Sequence, residues 1–418
     1  MKAKIINQSI FFSYCLLMVS FFLPLKYNSI ALILTGLISL SFIKSLIRNH
    51  KRKPIIIFFW LFFGMLLIGM SYTENLTEGW SIIERHYSLL FIPFFAPSFK
   101  LLRSNQQKKV INVFITTLTL VSLYCLGYAV VDYAQTGSVY IPGYSGYSIY
   151  NKFMHHRLLQ PVGMHAIFFS LYLSFSFIVI LNRLIVNFHI LSQPYKIGYF
   201  LLLLYYLLIL ILLTSALFAF ALPIAIVFLF IFYFKSKLLS SKKFKLLSII
   251  LIIGIGSFSY YGVSSKIGDF STEFKFDDPR INSLKIRLGI WICSWETIQK
   301  DWLLGHGTGD AQNELLKTYQ EKNFVIGKED RFNAHNMYLQ YWMSNGVFTL
   351  AIFVFILLFF SLLFIKNKQV VAFLTIFLFA MFSLTESTML KQNGIVFFVL
   401  FSSIFYFNNN SISNQSNL

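Results

Sequence analysis

Long apolar runs recur from one end of the chain to the other. Each is close to 20 residues, which is enough to cross about 30 Å of hydrocarbon as a helix. Backbone polar groups in lipid must be hydrogen-bonded within their own segment, so each run predicts an α-helix. Runs such as 200–213 do not alternate in polarity, unlike the strands of a membrane barrel. The pattern predicts an all-α polytopic membrane protein with helices over 8–24, 28–47, 54–72, 87–99, 110–132, 161–181, 197–213, 215–234, 246–263, 336–365, 370–385 and 394–407.

The composition and the positions of the charges strengthen this interpretation. Hydrophobic residues make up 57% of the 418 residues and charged residues only 12%, whereas soluble domains carry about 25% charged residues. The net charge of +19 could indicate a nucleic-acid partner. With the N-terminus in the cytoplasm, however, the cytoplasmic segments hold 20 of the 35 basic residues and none of the 16 acidic ones. This is the positive-inside pattern, so we expect both termini in the cytoplasm, contact with the lipid bilayer and no nucleic-acid partner.

The N-terminal run and the cysteines carry little further chemistry. The first run has no small-residue cleavage pattern, so it predicts a retained helix rather than a signal peptide. Cys15 and Cys125 lie within apolar runs, and no CxxC spacing occurs. We therefore expect neither a disulfide framework nor a thiolate metal site.

Two loops on the non-cytoplasmic side are longer than simple connections require. The loop 133–160 is rich in Gly and Tyr and ends in His155-His156-Arg157. The loop 264–335 carries 10 basic and 11 acidic residues, and loops longer than about 15 residues are usually functional or disordered. The chain is thus predicted to comprise helices 1–9 (1–263), the loop carrying the site (264–335), and helices 10–12 with a short polar cytoplasmic tail (336–418).

A helix is predicted within the second loop. Its N-cap is Asp278 before Pro279, or else Asn282 or Ser283. An apolar stripe at helical spacing follows, formed by Leu284, Leu288, Trp291, Trp295, Ile298 and Trp302. This stripe is typical of a helix that packs at the membrane surface or lies in the interface.

The arginines of this helix are candidates for a phosphate clamp. Arg280 and Arg287 are seven residues apart and would share one face, and Arg287 lies one turn before Trp291. A planar guanidinium matches two phosphate oxygens. The structural alternative is a salt bridge to Glu296 or to the Asp277-Asp278 pair.

Two further motifs follow along the chain. The segment 305–309 is glycine-rich, but it lacks the GxxxxGK[ST] pattern and does not follow a strand, so we expect a flexible turn in which His306 could serve the site. His335 directly precedes the tenth helix, where free amides and the helix dipole favour an anion. The same field keeps imidazole neutral and able to accept a proton. The structural alternative is an interfacial histidine without a chemical role.

Metal-binding patterns are absent from the sequence of the non-cytoplasmic loops. Neither HExxH nor DxD occurs there, and no carboxylate pattern accompanies His155, His156 and His165. We predict no required metal and no cofactor.

Residues 287–346 resemble the O-antigen ligase and O-antigen polymerase superfamily. Arg287-Leu-Gly-Ile-Trp291, followed by Trp302-Leu-Leu-Gly305-His-Gly307-Thr-Gly309, is similar to the family's R-x-x-x-W helix and G-x-G turn. Ala334-His335-Asn336, with a glycine eleven positions after the histidine, is similar to its H-[NSQ] motif. The predicted helices and the large loop before this histidine also match the family's architecture.

The resemblance implies an inner-membrane glycosyltransferase that acts on undecaprenyl-diphosphate-linked glycan in the periplasm without metal or nucleotide. The ligase transfers this glycan to a lipid A-core sugar, the polymerase transfers it to another repeat unit, and protein-directed O-glycan ligases also belong to the superfamily. Arg287 would hold the diphosphate, and His335 would act as base or organiser for the acceptor hydroxyl. Trp291, His306 and Asn336 are further candidates for substrate binding.

One position departs from the family pattern. Ala216 stands where members often carry the arginine of a Ser-Arg pair, so Arg157 or Arg280 is the candidate for a second cation. A transporter or flippase is the rival class, and an envelope scaffold is a third. Mid-helix charges are nearly absent and no repeat relates the two halves, which favours an enzyme acting at the membrane surface.

Overall fold

The computed structural model describes residues 2–40, 54–141, 151–213, 216–234, 276 and 283–408. Within these ranges the ordered structure is helical, apart from an isolated antiparallel bridge between Tyr140 and Asn151. The helices are α1 (Lys2–Ser20), α2 (Leu25–Leu40), α3 (Pro54–Met70), α4 (Leu76–His86), α5 (Ser88–Phe95), α6 (Ser104–Thr136), α7 (Ala166–Asn187), α8 (Gln193–Leu212), α9 (Ala216–Phe234), α10 (Ser283–Lys300), α11 (Ala311–Glu321), α12 (Met337–Lys366), α13 (Val370–Ser383) and α14 (Gln392–Phe407). Shorter helical segments are His155–Leu158 and Val325–Glu329, with 3-10 turns at Ala96–Leu101, Gln160–Val162 and Thr388–Leu390.

The predicted apolar helices coincide with helices of the structure wherever it describes them. The segment 246–263 lies outside the described residues, as do Arg280 and the tail beyond residue 408. Four described helices, α6, α7, α8 and α12, are long and apolar enough to cross a membrane, and six others are apolar but shorter. The described part of the chain is therefore all-helical, as expected of a multi-pass membrane protein, while the number of twelve spans stays a prediction.

Two local differences from the predicted helices have physical causes. Helix α4 was not predicted because it is amphipathic rather than apolar; the Asn75 side chain caps it by accepting a hydrogen bond from the backbone of Glu78. The predicted helix 87–99 is instead α5 followed by the 3-10 turn Ala96–Leu101. Pro97 lies in the first turn of that segment, where it cannot donate the backbone hydrogen bond that would continue α5.

Helix α14 forms the centre of the bundle. Every residue from Gly394 to Phe407 is buried, and the helix contacts α4, α5, α12, α13 and the turn at Ala96–Leu101. Ring stacking of Phe379 on Phe398, with centroids 4.5 Å apart, is one of many aromatic contacts that pack this core. A helix that is apolar on all sides is expected to be buried in this way.

One end of the bundle holds the two termini of the described chain, and the other end carries a helical cap. At one end, Asn7 Nδ2 donates to the Leu101 carbonyl at 2.8 Å and Asn408 Nδ2 donates to Gln107 Oε1 at 2.9 Å, so both ends of the described chain lie together. At the other end, which we call the loop end, α10 and α11 build a small helical cap on the start of α12. This cap has its own apolar core, formed by Ile290, Cys293, Ile298, Ala311, Leu315, Tyr319, Phe324, Ala334 and Met343.

Candidate active site

The glycine-rich turn after α10 docks into a break in α12. The break lies at Asn345 and Gly346, whose backbone angles are not helical. The backbone bonds that fill it are His306 N to the Met343 carbonyl at 3.0 Å, Gly307 N to the Ser344 carbonyl at 2.8 Å and Val347 N to the Trp302 carbonyl at 3.2 Å. The predicted continuous helix 336–365 is therefore interrupted, because the docked turn takes over backbone groups of the helix.

Two glycines allow this close approach. Gly305 and Gly346 both have positive φ, +75° and +72°. A Cβ on Gly305 would collide with the backbone at 344–346, and a Cβ on Gly346 would collide with the backbone of Leu303 and Leu304. The turn is thus fixed by backbone contacts, and the prediction that it is flexible was wrong.

Helix α10 extends over the predicted five turns, but only part of the predicted stripe lies on its packed face: Ile298 is in the core of the cap and Trp291 packs against that core. Its buried residues include Ile290, Ser294 and Thr297, whereas Trp295 of the stripe is 44% exposed and Trp302, just beyond the helix, is 54% exposed. Ser294 and Thr297 can be buried because their hydroxyls donate to carbonyls one turn earlier. The tryptophans remain available for the membrane interface.

Three side chains from distant parts of the chain meet next to this cap. Arg287 of α10 places Nη2 2.9 Å from Glu386 Oε1, and His335, just before α12, places Nδ1 3.0 Å from Glu386 Oε2. The Glu386 side chain is 10% exposed, whereas those of His335 and Arg287 are 23% and 27% exposed. The carboxylate is therefore enclosed, while the imidazole and the guanidinium keep access to a ligand.

Asn333 holds the two loop segments of this cluster together. Its Oδ1 accepts hydrogen bonds from the His335 backbone N–H and from the Ser387 hydroxyl, both at 2.9 Å. His335 itself has a positive φ of +40°, a conformation that a non-glycine residue adopts only when its surroundings impose it. The backbone strain and the shared asparagine both fix the imidazole against Glu386.

The electrostatics determine which nitrogen of His335 is free. Burial raises the pKa of Glu386, but the hydrogen bond and charge of His335 and the charge of Arg287 outweigh it, so the pKa lies below its usual value. The carboxylate is therefore ionised at neutral pH and accepts a hydrogen bond from Nδ1 of His335. In a neutral imidazole this leaves Nε2 as the unprotonated nitrogen, which can accept a proton.

Two buried N–H donors, on Arg287 and Trp291, have no acceptor among the described residues. These donors are Arg287 Nε and Trp291 Nε1. A buried N–H without an acceptor costs about 1–3 kcal/mol. The two donors lie one helical turn apart, so an anionic oxygen at this position would relieve this cost.

The end of the first loop approaches the same carboxylate. The rings of His156 and His165 are 4.1 Å apart, and the Ala166 backbone N–H donates to His156 Nδ1 at 3.1 Å. Both rings keep some solvent access. Burial by the surrounding protein nevertheless lowers the pKa of His165 to about 4. Repulsion from a protonated His156 lowers this pKa further by a smaller amount, and the charge of Glu386 raises it. Burial also lowers the pKa of His156, again opposed by Glu386. Both imidazoles are therefore neutral near pH 7.

The predicted site residues are distributed unevenly around this cluster. Arg287, Trp291 and His335 lie in or beside it, and the half-buried Arg157 follows His156 directly. Asn336 caps α12, because its Oδ1 accepts hydrogen bonds from Tyr338 N and Leu339 N.

His306 is separated from Arg287 by the length of α10. Its Nε2 lies 2.8 Å from the carbonyl of Thr297, and Thr297 is ten residues, about 15 Å, along the helix from Arg287. This contact anchors the turn after α10 to the helix itself. Arg280, the remaining predicted residue, lies outside the described residues.

Sequence reasoning missed Glu386. The alternative prediction of a salt bridge between Arg287 and Glu296 was wrong, because Glu296 pairs with Lys322 at 2.8 Å. The other predicted partners, Asp277 and Asp278, lie outside the described residues. A signal was present in the sequence, because Glu386 is the only acidic residue after Asp330. A lone carboxylate between two apolar helices indicates a partner or a function.

A family model matches part of this chain. The fold and the cluster define a multi-pass membrane protein with ionisable side chains gathered at one end of a helical bundle. Residues 200–354 match the family model described as O-antigen ligase, a segment that includes Arg287 and His335. This match confirms the resemblance at the level of the O-antigen ligase superfamily and supports a ligase- or polymerase-type function. No curated protein matches the chain.

Proposed function

We propose that this protein is an O-antigen ligase-like glycosyltransferase. It transfers a glycan from undecaprenyl diphosphate to an acceptor hydroxyl, a lipid A-core sugar, at the periplasmic face of the inner membrane. The observation that carries the proposal is the bridge through Glu386, which joins Arg287 and His335 at 2.9 and 3.0 Å. A phosphate-binding cation and a proton acceptor thus belong to one hydrogen-bonded unit.

The reaction assigns a separate task to each member of this unit. Nε2 of His335 takes the proton of the acceptor hydroxyl as its oxygen forms the new bond to the anomeric carbon. The bond between that carbon and the diphosphate oxygen breaks, and undecaprenyl diphosphate leaves with the bonding electrons. Glu386 stabilises the imidazolium formed on His335, as the carboxylate of a catalytic triad does.

Arg287 stabilises the leaving group. Its Nη2 faces Glu386, while its buried Nε has no acceptor within the described residues and can donate to a phosphate oxygen. Charge that develops on the diphosphate strengthens this bond in the transition state. Arg157 is the proposed second cation among the described residues, because it follows His156, which faces the same carboxylate. A diphosphate is already a good leaving group, so the mechanism needs neither metal nor nucleotide.

The proposed topology rests on the charges and on the ends of the bundle. Asn7 and Asn408 lie at the end of the bundle opposite the Glu386 cluster. All 16 acidic residues fall in segments predicted to be non-cytoplasmic. Both observations support cytoplasmic termini, a periplasmic site and the three-part division at residues 263 and 335.

Two measurements test the proposal. In vesicles, purified protein given a lipid-diphosphate donor should form a glycosidic bond in the presence of a chelator; transport of the donor without bond formation would instead indicate a flippase. In cells, deletion of the gene should remove all glycan from the lipid A-core and leave long lipid-linked polymer. A core bearing one repeat would indicate a polymerase, and loss of glycan from proteins alone would indicate a protein O-glycan ligase.

A control separates catalysis from folding. His335→Ala should abolish transfer while the protein still inserts in the membrane and elutes as the wild type does. Normal transfer by this variant would remove the proposed mechanism.

A further inference from the structure

A groove on the outer surface of the bundle, lined by exposed apolar side chains such as Ile33 and Phe91, is not part of the Glu386 cluster. It runs between α2 and α5 and has a volume of about 400 Å³, which is within the range of small-molecule sites. We call it the α2–α5 groove; its lining includes Ser29, Ile33, Gly36, Leu40, Phe91 and Gln392. From Ser29 to Leu40 the helix rises about 16 Å, which matches half of the roughly 30 Å hydrocarbon core. The groove therefore has the length of a lipid chain in one leaflet.

The end of the groove nearest the loops is polar and carries both signs of charge. Glu84 and Arg85 line it there, together with Ser88 and Gln392. The Glu84 carboxylate has no ion pair or side-chain hydrogen bond within the described residues, and the buried Ser88 hydroxyl has no hydrogen-bond partner there. Arg85 Nη2 donates to Ser81 Oγ at 2.6 Å and lies 3.8 Å from Glu78 Oε1, so its charge is only weakly compensated. The groove thus presents a cation above an apolar channel, together with a carboxylate and a hydroxyl that have no side-chain partner in the described part of the chain.

We propose that the α2–α5 groove binds one chain of a zwitterionic phospholipid that carries a primary ammonium in its headgroup. The phosphate faces Arg85, and the ammonium donates hydrogen bonds to Glu84. The mixed charge argues against an acidic headgroup, because Glu84 would repel it. The diphosphate of the proposed donor carries no ammonium group that could bind Glu84, so it does not match this pair of charges.

The groove is mechanically connected to the segment that carries Glu386. Arg85 Nη1 donates to the Leu390 carbonyl at 3.3 Å, and Gln392 Nε2 donates to Asn28 Oδ1 and Ser29 Oγ at 3.2 and 2.9 Å. A bound lipid therefore holds α2 and α4 against the loop between α13 and α14. The lipid is a structural ligand that stabilises this loop, and it is not a substrate.

The test compares three lipids with identical chains and different headgroups. Delipidated protein is titrated with phosphatidylethanolamine, phosphatidylcholine and phosphatidylglycerol, and binding is followed by native mass spectrometry. The ethanolamine lipid should bind about tenfold more tightly than the choline lipid, which has the same charges but no N–H donors, and more tightly than the acidic lipid. Equal binding of the three lipids would overturn the proposal, as would a preference for the acidic one.

Two variants locate the effect. Glu84→Gln should abolish the preference for ethanolamine over choline, whereas Glu74→Gln, an exposed acidic residue outside the groove, should retain it. Gly36→Leu should block the chain and remove binding of all three lipids. A Cβ at Gly36 makes ordinary contact with Phe95, at 3.6 Å, and Gly36 lines the groove, so the larger side chain is expected to fill part of it.

The control for added bulk is Gly127→Leu, because Gly127 lies on α6 with open space around its Cβ position. Unchanged binding in Gly36→Leu would refute the site. The proposal would also be refuted if a polyprenyl phosphate displaced the bound lipids and the three lipids bound equally. That result would assign the groove to the donor.

Discussion

Replacing Glu386 by glutamine tests the proposed mechanism most directly. The variant keeps the volume of the side chain and removes only its charge. The amide can turn its NH₂ group toward Nδ1 of His335, 3.0 Å away in the wild type, so that Nδ1 becomes the acceptor. The proton of the imidazole then lies on Nε2, which can no longer take the proton of the acceptor hydroxyl.

The expected loss follows from the two roles of the carboxylate. General base catalysis contributes about 10²–10⁴-fold to a rate, and the variant loses both the correct tautomer and the stabilisation of the imidazolium. We therefore expect kcat to fall about 10²–10⁴-fold. The KM for the lipid-diphosphate donor should stay the same or fall, because Arg287 no longer shares its charge with a carboxylate.

The assay is initial-rate glycan transfer by purified protein in lipid nanodiscs, with donor and acceptor varied independently. Glu386→Asp should recover part of the activity, since it keeps the charge on a shorter side chain. The matched control is Glu321→Gln, which removes an exposed carboxylate paired with Lys300 at 2.9 Å on the same cap and should change kcat less than twofold. A kcat of Glu386→Gln within threefold of the wild type, in correctly folded protein, would refute the assignment of Glu386 and His335 as one unit.

Other variants test the remaining parts of the site and its scaffold. Arg287→Lys should raise the KM for the donor about tenfold in the same assay, because an ammonium cannot replace the paired N–H donors of a planar guanidinium. An unchanged KM would contradict the proposed contact between Arg287 and the diphosphate. Gly346→Ala should lower the free energy of unfolding by about 2 kcal/mol or more, since its φ of +72° and its contact with the 303–304 backbone exclude a side chain; Gly64→Ala, which has open space, should be nearly neutral in the same thermal unfolding experiment. Asp310→Ala should cost about 1–3 kcal/mol, because it leaves two backbone N–H groups at the start of α4 without their 2.7 Å acceptor bonds; unchanged stability would show that water replaces them. Because the pKa of Glu386 is lowered in the folded protein, its ion pairs stabilise the fold fully above the ordinary carboxyl pKa of about 4 and lose this effect as the pH falls further. The difference in unfolding free energy between wild type and Glu386→Gln should therefore narrow only in acid. A difference that widens in acid would show that the partners of Glu386 raise its pKa rather than lower it.

The apolar helices were predictable because the requirement for backbone hydrogen bonding in lipid acts within each segment. A run of about 20 apolar residues must hydrogen-bond its own backbone, whatever the rest of the chain does. The predicted segments 215–234 and 394–407 accordingly coincide with α9 and α14 to within two residues at each end. Helix α4 escaped prediction because amphipathic segments depend on what packs against them.

The motif residues were found in sequence, but their tasks were only partly predicted. Arg287 and His335 lie in the cluster, whereas His306 and Asn336 make contacts that hold the backbone. Glycine and polar residues look alike in a motif whether they bind a ligand or fill a break in a helix. Only the contact of the turn at 305–309 with α12 distinguishes the two uses.

The sequence by itself determined that this is a helical membrane protein with one polar loop near His335, because hydropathy and charge act over a few residues at a time. The tertiary structure alone decided which carboxylate that histidine meets. Glu386 is 51 residues from His335 and 99 from Arg287 along the chain. Their meeting depends on how α10 packs on α12 and on the turn that follows α13. Such contacts arise from the packing of whole helices, which no local pattern in the chain encodes.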